Sequence, residues 1–549
     1  MQSVPPPLPP FETHAVGNVP PPFEPRDLWA DDAALREAVA RGGAGGHEAQ
    51  LQAYARLAGD ELYRLGFDAN RDRPRLRTHD RHGRRIDTVE FHPAYHRLLE
   101  AAKAHGVAGL SWHAPEPGAH VARAALSYLH HQAEAGTSCP LTMTHAAVPV
   151  LRREPALREW ADKAAAPHYD PRDVAIAGKA GITVGMGMTE KQGGSDVRSN
   201  ATTATPMPGG EGYALVGHKW FFSAPMSDGF LVLAQAPGGL TCFLMPRRLN
   251  DGTNNAFRLM RLKDKLGDWS NASSEVEFCG AQAWPVGGEG RGVATILEMV
   301  MLTRLDCMLG AAAETRMAFA QALHHARHRV AFGLRLVEQP LMANVLADLA
   351  VESEAATALA LHVAAAVDAA ADDPQAAAFA RIATAIGKYW LCRRAPVLVN
   401  EAQECLGGGG YVEESVLPRL YRQAPLNSIW EGSGNIQCLD VLRALVREPA
   451  AAQALRTVLE QAAQRHPLLA REAERLQRQL AAVDTLEPLA RQLVERVALL
   501  LQGSILQAAG SPLAEAFLRS RLGGEHGMAM GTLPADLDFA AILARALSL

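Results

Sequence analysis

Five short stretches of the chain carry residue types that could do chemistry. Residues 186–197 read MGMTEKQGGSDV, and there Met186, Gly187, Met188, Thr189, Gln192, Gly193, Gly194 and Ser195 crowd hydroxyls, an amide and bare backbone just after an apolar run. Glycine has no Cβ, so a flat polar ring could approach closely and meet backbone N–H groups and side-chain hydroxyls. The stretch is neither G-x-G-x-x-G after a parallel strand nor a Walker loop, so neither phosphate-loop mechanism applies. The other four are GHKWFFS (217–223), with Phe221 and Ser223; RVAFG (329–333), with Arg329 and Phe332; ECLGGGGY (404–411), with Gly407 and Gly408; and SIWEGSGN (428–435), with Ile429, Trp430, Glu431, Gly432, Ser433, Gly434 and Asn435. The four-glycine run, taken alone, is a helix stop and turn. Glu431 taken alone is a glutamate capping a turn; a carboxylate lifted toward neutrality by desolvation is instead a general base.

The elements that must position these stretches can be read from texture. A chain of 549 residues is too long for one core and implies about three or four domains. Residues 1–27 read as a proline-rich extended strap, with nine prolines in the first 25 positions, a partner-binding proline motif being the alternative. Residues 28–181 read as a helical domain: ADDAALREAVAR opens with an acidic cap, and AHVARAALSYLHHQAEAG has apolar residues at three- and four-residue spacing. Inside it, residues 71–85 hold seven arginines, broken by a proline and two aspartates. That segment reads as a solvated loop with local acid partners, a nucleic-acid contact being the alternative.

Residues 182–289 change texture to short β-rich runs such as YALVGHKWFFSA, FLVLAQA and LTCFLMP, separated by glycine, proline or aspartate. Without βαβ alternation they predict an antiparallel sandwich or barrel. Residues 290–447 return to long helices sufficient for a bundle. Residues 448–549 form an extra helical segment, in which Leu486, Leu489, Leu493, Val497 and Leu500 make a stripe for packing onto that bundle.

Composition narrows the setting. The chain is 48% hydrophobic and 21% charged with net charge −5, so no overall basic field advertises nucleic acid or membrane. No run of about 18 apolar residues predicts a membrane span, and the N-terminus lacks the basic start and apolar core of a signal peptide. Seven scattered cysteines without a CxxC pair read as reduced thiols in a cytoplasmic protein, and no metal site is expected.

In their order and spacing, the five motifs resemble the acyl-CoA dehydrogenase flavoenzymes over about residues 90–445. The resemblance implies an α+β fold: an N-terminal helical domain, a central antiparallel β-barrel and a C-terminal helical bundle, here with an extra C-terminal helical domain. It implies FAD as cofactor and a homotetramer. Met188 and Thr189 would then line the pyrimidine side of the flavin ring, and Ser195 the pyrophosphate side. Phe221 would lie near the ring and Ser223 near its N5. Arg329 and Phe332 would reach the FAD of a neighbouring subunit, and the glycine run from Gly407 and Gly408 would cradle the dinucleotide. Met186, Gly187, Gln192, Gly193 and Gly194, with Ile429, Trp430, Gly432, Ser433, Gly434 and Asn435, complete the implied cofactor set. Glu431 matches the base that removes the α-proton of an acyl thioester. Some members place the base on a helix instead, at the position of Thr303, which cannot serve.

The departures indicate a branch. Lys191 and Gly193 stand where ordinary members carry proline and alanine, Phe221 replaces a common tryptophan, and Pro340 and Glu404 occupy usual glutamine positions. MTEKQGGSDV, RLKDKLGDWSNAS, EAGTSCPLTMT (134–144) and NSIWEGSGNIQCLDVLR resemble the AidB branch, from about residue 30 to 445. That resemblance implies weak dehydrogenase activity, non-specific duplex DNA binding and a role in the adaptive response to DNA alkylation, with the electron acceptor undefined. Residues 451–549 contain ten arginines, no lysine and ten acidic residues, so the extra segment is formally neutral. Arg471, Arg475 and Arg478 could share one helical face, yet Glu472 and Glu474 lie beside them, which reads as a solvated, ion-paired surface. Two further readings stay open: a metabolic dehydrogenase of short or branched acyl-CoA, and a DNA-shielding protein with structural FAD.

Overall fold

The computed structural model of the chain describes residues 11–210, 212–481 and 486–547. Helices fill the first part. Asp32 caps Ala33–Arg41 by accepting from the Leu35 N–H at 3.0 Å, as its acidic start predicts. Ala119–Ala133 and Ser138–Arg152 are buried almost all round. The arginine-rich loop expected at 71–85 is a correction: Arg75–His79 pairs antiparallel with Arg85–Glu90 as a hairpin. Its acid partners are local as expected, with Arg75 on Asp72, Arg77 on Glu90 and Arg85 on Asp87.

The β-rich part makes a seven-stranded sheet that closes on itself. Gly229–Ala236 pairs with Gly239–Pro246, which pairs with Ser273–Val286, then Tyr213–Ser223, then Thr203–Pro206, which returns to Gly229–Ala236. Most ladders are antiparallel. Two are parallel: Val184–Gly187 runs alongside Gly229–Val232, and Thr203 meets Gln235. The barrel interior is filled by Phe222, Phe230, Phe243, Phe257 and Phe278, so closure leaves a packed core.

Three long helices, Gly292–His328, Pro340–Ala369 and Pro374–Cys405, then form the bundle. Close approach is possible because small residues face neighbours: a Cβ at Gly387 would lie 2.3 Å from the Met308 methyl, and one at Gly310 would lie 2.8 Å from His131. Pro340–Ala369 is long and apolar enough to cross a membrane, but 78% of its apolar window is buried inside the protein. One hydrophobic core runs from Phe23 through the early helices and the bundle to Leu547. A second core joins Cys139–Ala165, the barrel residues Val184, Leu231 and Leu244, and the start of the long helix at Ile296 and Met299. It is this second core that fixes the barrel against the helices.

In the last segment Leu486, Leu493, Val497 and Leu500 are buried as the stripe predicts, while Leu489 is 48% exposed. Residues 1–10 of the strap lie outside the described residues. Within the remainder, Phe23 is buried against Tyr63 and His324, and Asn18 bonds both the N–H and the carbonyl of Val330.

Candidate functional site

Glu431 sits where the barrel, the long helix and the bundle converge. Its backbone is left-handed, φ +58°, which a residue with a Cβ adopts only when its surroundings hold it there. Three side chains do the holding. Arg304 Nε donates to the Glu431 carbonyl at 3.0 Å, and Gln437 Nε2 donates to the carbonyls of Glu431 and Gly432, each at 3.0 Å. Lys388 Nζ donates to the carbonyls on either side, Trp430 at 2.8 Å and Gly432 at 2.6 Å. Gly432, φ +99°, completes the turn; a Cβ there would lie 2.7 Å from Gln437 Nε2.

The Glu431 carboxylate is part-buried and accepts one hydrogen bond, from Thr303 Oγ1 to Oε2 at 2.7 Å. Oε1 has no partner among the described residues. Burial raises its pKa above the ordinary carboxylate value, against the opposing pull of Thr303 and of the Lys388 and Arg304 charges. Arg304 is itself matched by Asp440 at 2.9 Å, an aspartate that also receives Arg381 and Arg443.

The glycine-rich stretch forms the opposite wall. Trp430, Met186 and Met188 all pack against the second core, which ties the two motifs to the same junction. Gly187 is required by the fold, since a Cβ there would lie 2.7 Å from the Phe222 ring. Gly194 is pressed onto Thr189, and Gly193, φ +156°, faces open space. The turn is held from behind by Glu190, which is fully buried and paired with the fully buried Lys219 at 2.7 Å. Glu190 also accepts from Ala201 N at 2.7 Å and Gln192 Nε2 at 2.7 Å. Burial alone would raise the Glu190 pKa, but Lys219 and the other donors outweigh it and hold it at about 2. Ser195 is exposed beside this turn. Phe221 is 52% exposed with Lys263 Nζ 4.6 Å from its ring centroid, and Ser223 bonds Ser273 at 3.0 Å.

Of the remaining implied residues, Ile429, Ser433 and Asn435 flank Glu431 in the chain, whereas Arg329, Phe332, Gly407 and Gly408 lie elsewhere. Ile429 is exposed, and Ser433 precedes the helix Gly434–Arg447 without a capping bond from its hydroxyl. Asn435 Oδ1 accepts from Arg491 of the last segment at 2.8 Å. Arg329 ends the helix that carries Thr303, so 26 residues of helical rise put it roughly 39 Å away. Phe332 and Gly333, both at positive φ, form the tight turn of a hairpin closed by Ala331 and Leu334. The turn leaves Phe332 99% exposed. Gly407 and Gly408 follow the helix end at Cys405, with open space where each Cβ would be.

Sequence reading missed Glu190, Lys219, Lys388, Gln437 and Asp440. Glu190 and Lys219 stand inside quoted motifs but have polar neighbours, Thr189 with Lys191 and His218, so a charge among hydrophobic residues is a weak signal there. Lys388 lies in the mainly apolar FARIATAIGKYWL, where that signal was available.

In the last segment, charge is divided between docking and display. Arg521 bonds buried Glu352 at 2.8 Å and also pairs with buried Asp348, and Arg545 bridges Glu354 and Glu37. Arg478 pairs with Glu474 as the expected ion-paired face predicts, but Glu472 turns inward to Arg496. Arg456, Arg465, Arg471, Arg475 and Arg491 are exposed and meet no carboxylate within 4 Å among the described residues.

This architecture and its motifs have relatives among known proteins. Residues 18–171 match the family described as the adaptive response protein AidB N-terminal domain; residues 185–280 match the acyl-CoA dehydrogenase middle domain, and residues 290–446 its C-terminal domain. The chain is 46% identical over 523 residues to the putative acyl-CoA dehydrogenase AidB of Escherichia coli (strain K12), covering 94% of this chain and 96% of that one. A crystal structure of Caenorhabditis elegans ACDH-11 in complex with C11-CoA superposes with TM-score 0.83 at 26% identity, covering 92% of this chain and 93% of that one. An acyl-CoA dehydrogenase complexed with FAD from Bacillus anthracis shares the fold, with TM-score 0.63 at 17% identity over 83% of this chain and 80% of that one.

Proposed function

The chain belongs to the acyl-CoA dehydrogenase family, in the branch that contains AidB, and from that premise we propose that it uses Glu431 as the base of an FAD-dependent oxidation, in service of the response to DNA alkylation. It is an FAD-dependent oxidoreductase of the acyl-CoA dehydrogenase type. The residues present fit a flavin. The Gly193 backbone is open, Phe221 is half-exposed, and Trp430 and Met188 share one apolar wall. Met186 to Thr189, Gln192 to Ser195, Phe221, Ser223 and Ile429 to Asn435 would hold it. When bound, FAD accepts the hydride.

The observation that carries the reading is Glu431 itself. Its Oε2 is fixed by Thr303 while Oε1 is unengaged, in a backbone turn held by Arg304, Gln437 and Lys388. Oε1 takes the α-proton of a thioester substrate. Burial raises the carboxylate's affinity for that proton, and Thr303 keeps the acceptor oxygen aimed. The helix position where some relatives carry the base holds Thr303, which here supports Glu431. Glu431→Gln keeps FAD bound and abolishes flavin reduction across a panel of acyl-CoA thioesters; retained reduction removes Glu431 from the role.

The roughly 39 Å between Thr303 and Arg329 supports a homotetramer in which Arg329, Phe332 and the Gly407–Gly408 turn serve a neighbour's cofactor. A fully exposed phenylalanine on a tight hairpin fits a protein interface better than solvent. Phe332→Ser yields a smaller assembly in light scattering and weaker FAD retention. The alkylation-response role and a cytoplasmic location rest on kinship with AidB. Duplex DNA contact has a local support in the five exposed arginines without carboxylate partners. Mobility shift with random duplex, weakening steeply with salt, tests it; metabolic turnover of about 1 s⁻¹ or faster without DNA binding favours the metabolic reading, and a flavin no substrate reduces favours the shielding one.

A further inference from the structure

The helix Pro374–Cys405 carries a lysine deep in the bundle. Lys388 is 1% exposed, and its Nζ meets no carboxylate within 4 Å among the described residues. Its two partners are the Trp430 and Gly432 carbonyls, one on each side of Glu431. An ammonium has three N–H donors, so one remains. The cavity beside it, about 30 Å³, is lined by Tyr389, Arg393, Ser428, Gly434, Gln437 and Arg491. No acidic side chain is among those lining residues, so the cavity supplies no counter-charge. Burial of a cation without a counter-ion is costly, and such a charge acts strongly on whatever ionisable group is near.

We infer that Lys388 is the positioning residue for the base: it clamps the peptide groups on both sides of Glu431 into the left-handed turn, and its charge favours the ionised form of the Glu431 carboxylate against the pull of burial. The inference rests on the reading of Glu431 as base. Arg304 also faces the loop, but Asp440 matches its charge at 2.9 Å. The other groups facing Glu431 are Thr303 and the thiols of Cys139 and Cys307, whose pKa values burial drives up, leaving them neutral. On the bundle side Lys388 is faced by the similarly neutral Cys392, by Tyr389, and by the cations Arg393 and Arg491. Glu314 lies near Cys392 but is paired with His131 at 3.1 Å, and Glu495 lies near Tyr389. Of the two cations acting on Glu431, Arg304 and Lys388, it is Lys388 that no carboxylate meets within 4 Å among the described residues.

The test reads Glu431 ionisation directly. In FAD-loaded full-length protein, the carboxyl infrared band that disappears in Glu431→Gln is titrated against pH in the wild type, Lys388→Met, Lys388→Gln and Lys388→Arg. Lys388→Gln keeps a donor for the carbonyls but removes the charge. The midpoint is expected to rise by about one pH unit or more in Lys388→Met and Lys388→Gln, and to return toward wild type in Lys388→Arg. An unmoved midpoint in the neutral variants overturns the assignment, as does failure of both to fold, which would make Lys388 structural only. The readout needs no substrate. If no acyl-CoA reduces the wild-type flavin, the base reading fails while the infrared titration still decides the role of Lys388.

Discussion

Two buried lysines stand behind the two walls of the same junction and are handled in opposite ways. Lys219, behind the glycine-rich turn, is matched by Glu190 at 2.7 Å, and its other hydrogen bond goes to a single carbonyl, that of Leu233. Lys388, behind the Glu431 loop, has only carbonyls among the described residues. The first arrangement cancels its own field and leaves rigidity. The second retains its field, aimed at a loop that must both hold a strained backbone and present a carboxylate. A scaffold and a reactive group can thus be built from the same residue type, separated by whether a counter-ion accompanies it.

The largest effect is expected at the reactive wall. Glu431→Gln should lower the rate of flavin reduction by at least about a thousand-fold in rapid-mixing absorbance measurements, whereas Glu190→Gln should leave measurable reduction wherever FAD is retained. Equal losses would erase the distinction between the two walls.

Next is stability. Lys219→Met strands a fully buried carboxylate and should destabilise by about 3–5 kcal/mol in urea unfolding, with much of that recovered in the double variant with Glu190→Gln. The pH dependence has a definite sign. Glu190 is held at about 2, below its ordinary 4.5, so its contribution is present above 4.5 and is lost as pH falls toward 2. Glu431 runs the other way. Its pKa is raised, so the folded state binds its proton more tightly than the unfolded chain, and its ionisation lowers stability as pH rises. Glu431→Gln should therefore be more stable than wild type at pH 7, with the gain fading as pH drops below the ordinary carboxylate range.

The same contrast recurs on a smaller scale in the last segment. Arg521 is matched by two buried carboxylates, and Arg521→Ala should loosen the segment from the bundle, detected as earlier proteolysis after residue 447. Arg456, Arg471 and Arg475 are unmatched and exposed. Replacing all three by alanine should leave urea unfolding within about 0.5 kcal/mol and reduce the salt slope of DNA binding by about 0.9 for each phosphate no longer neutralised.

Much of the fold could be read from residue order alone. The Asp32 cap, the helix at Ala119–Ala133, the β-rich middle and the stripe ending at Leu500 are all local patterns, and each formed as its spacing requires. The motif containing Glu431 was equally legible. The arginine-rich hairpin was misread as a loop because arginine and proline mask its alternation, and the strand is held by a partner six to fifteen residues on. Exposure of Leu489 could not be seen either, since Glu487–Leu489 is a tight turn ahead of the helix Ala490–Ala508 and breaks the helical spacing the stripe assumes.

Sequence by itself determined most of the helices and the β-rich middle, their order and the family to which their motifs belong, because periodicity and capping act within a few residues. Tertiary structure alone decided that Lys219 meets an acid 29 residues before it, that Lys388 meets none within 4 Å among the described residues, and that Arg329 stands a helix length from Thr303. Charge compensation depends on distances through space between residues far apart in the chain, and those distances exist only once the barrel and the helices have packed.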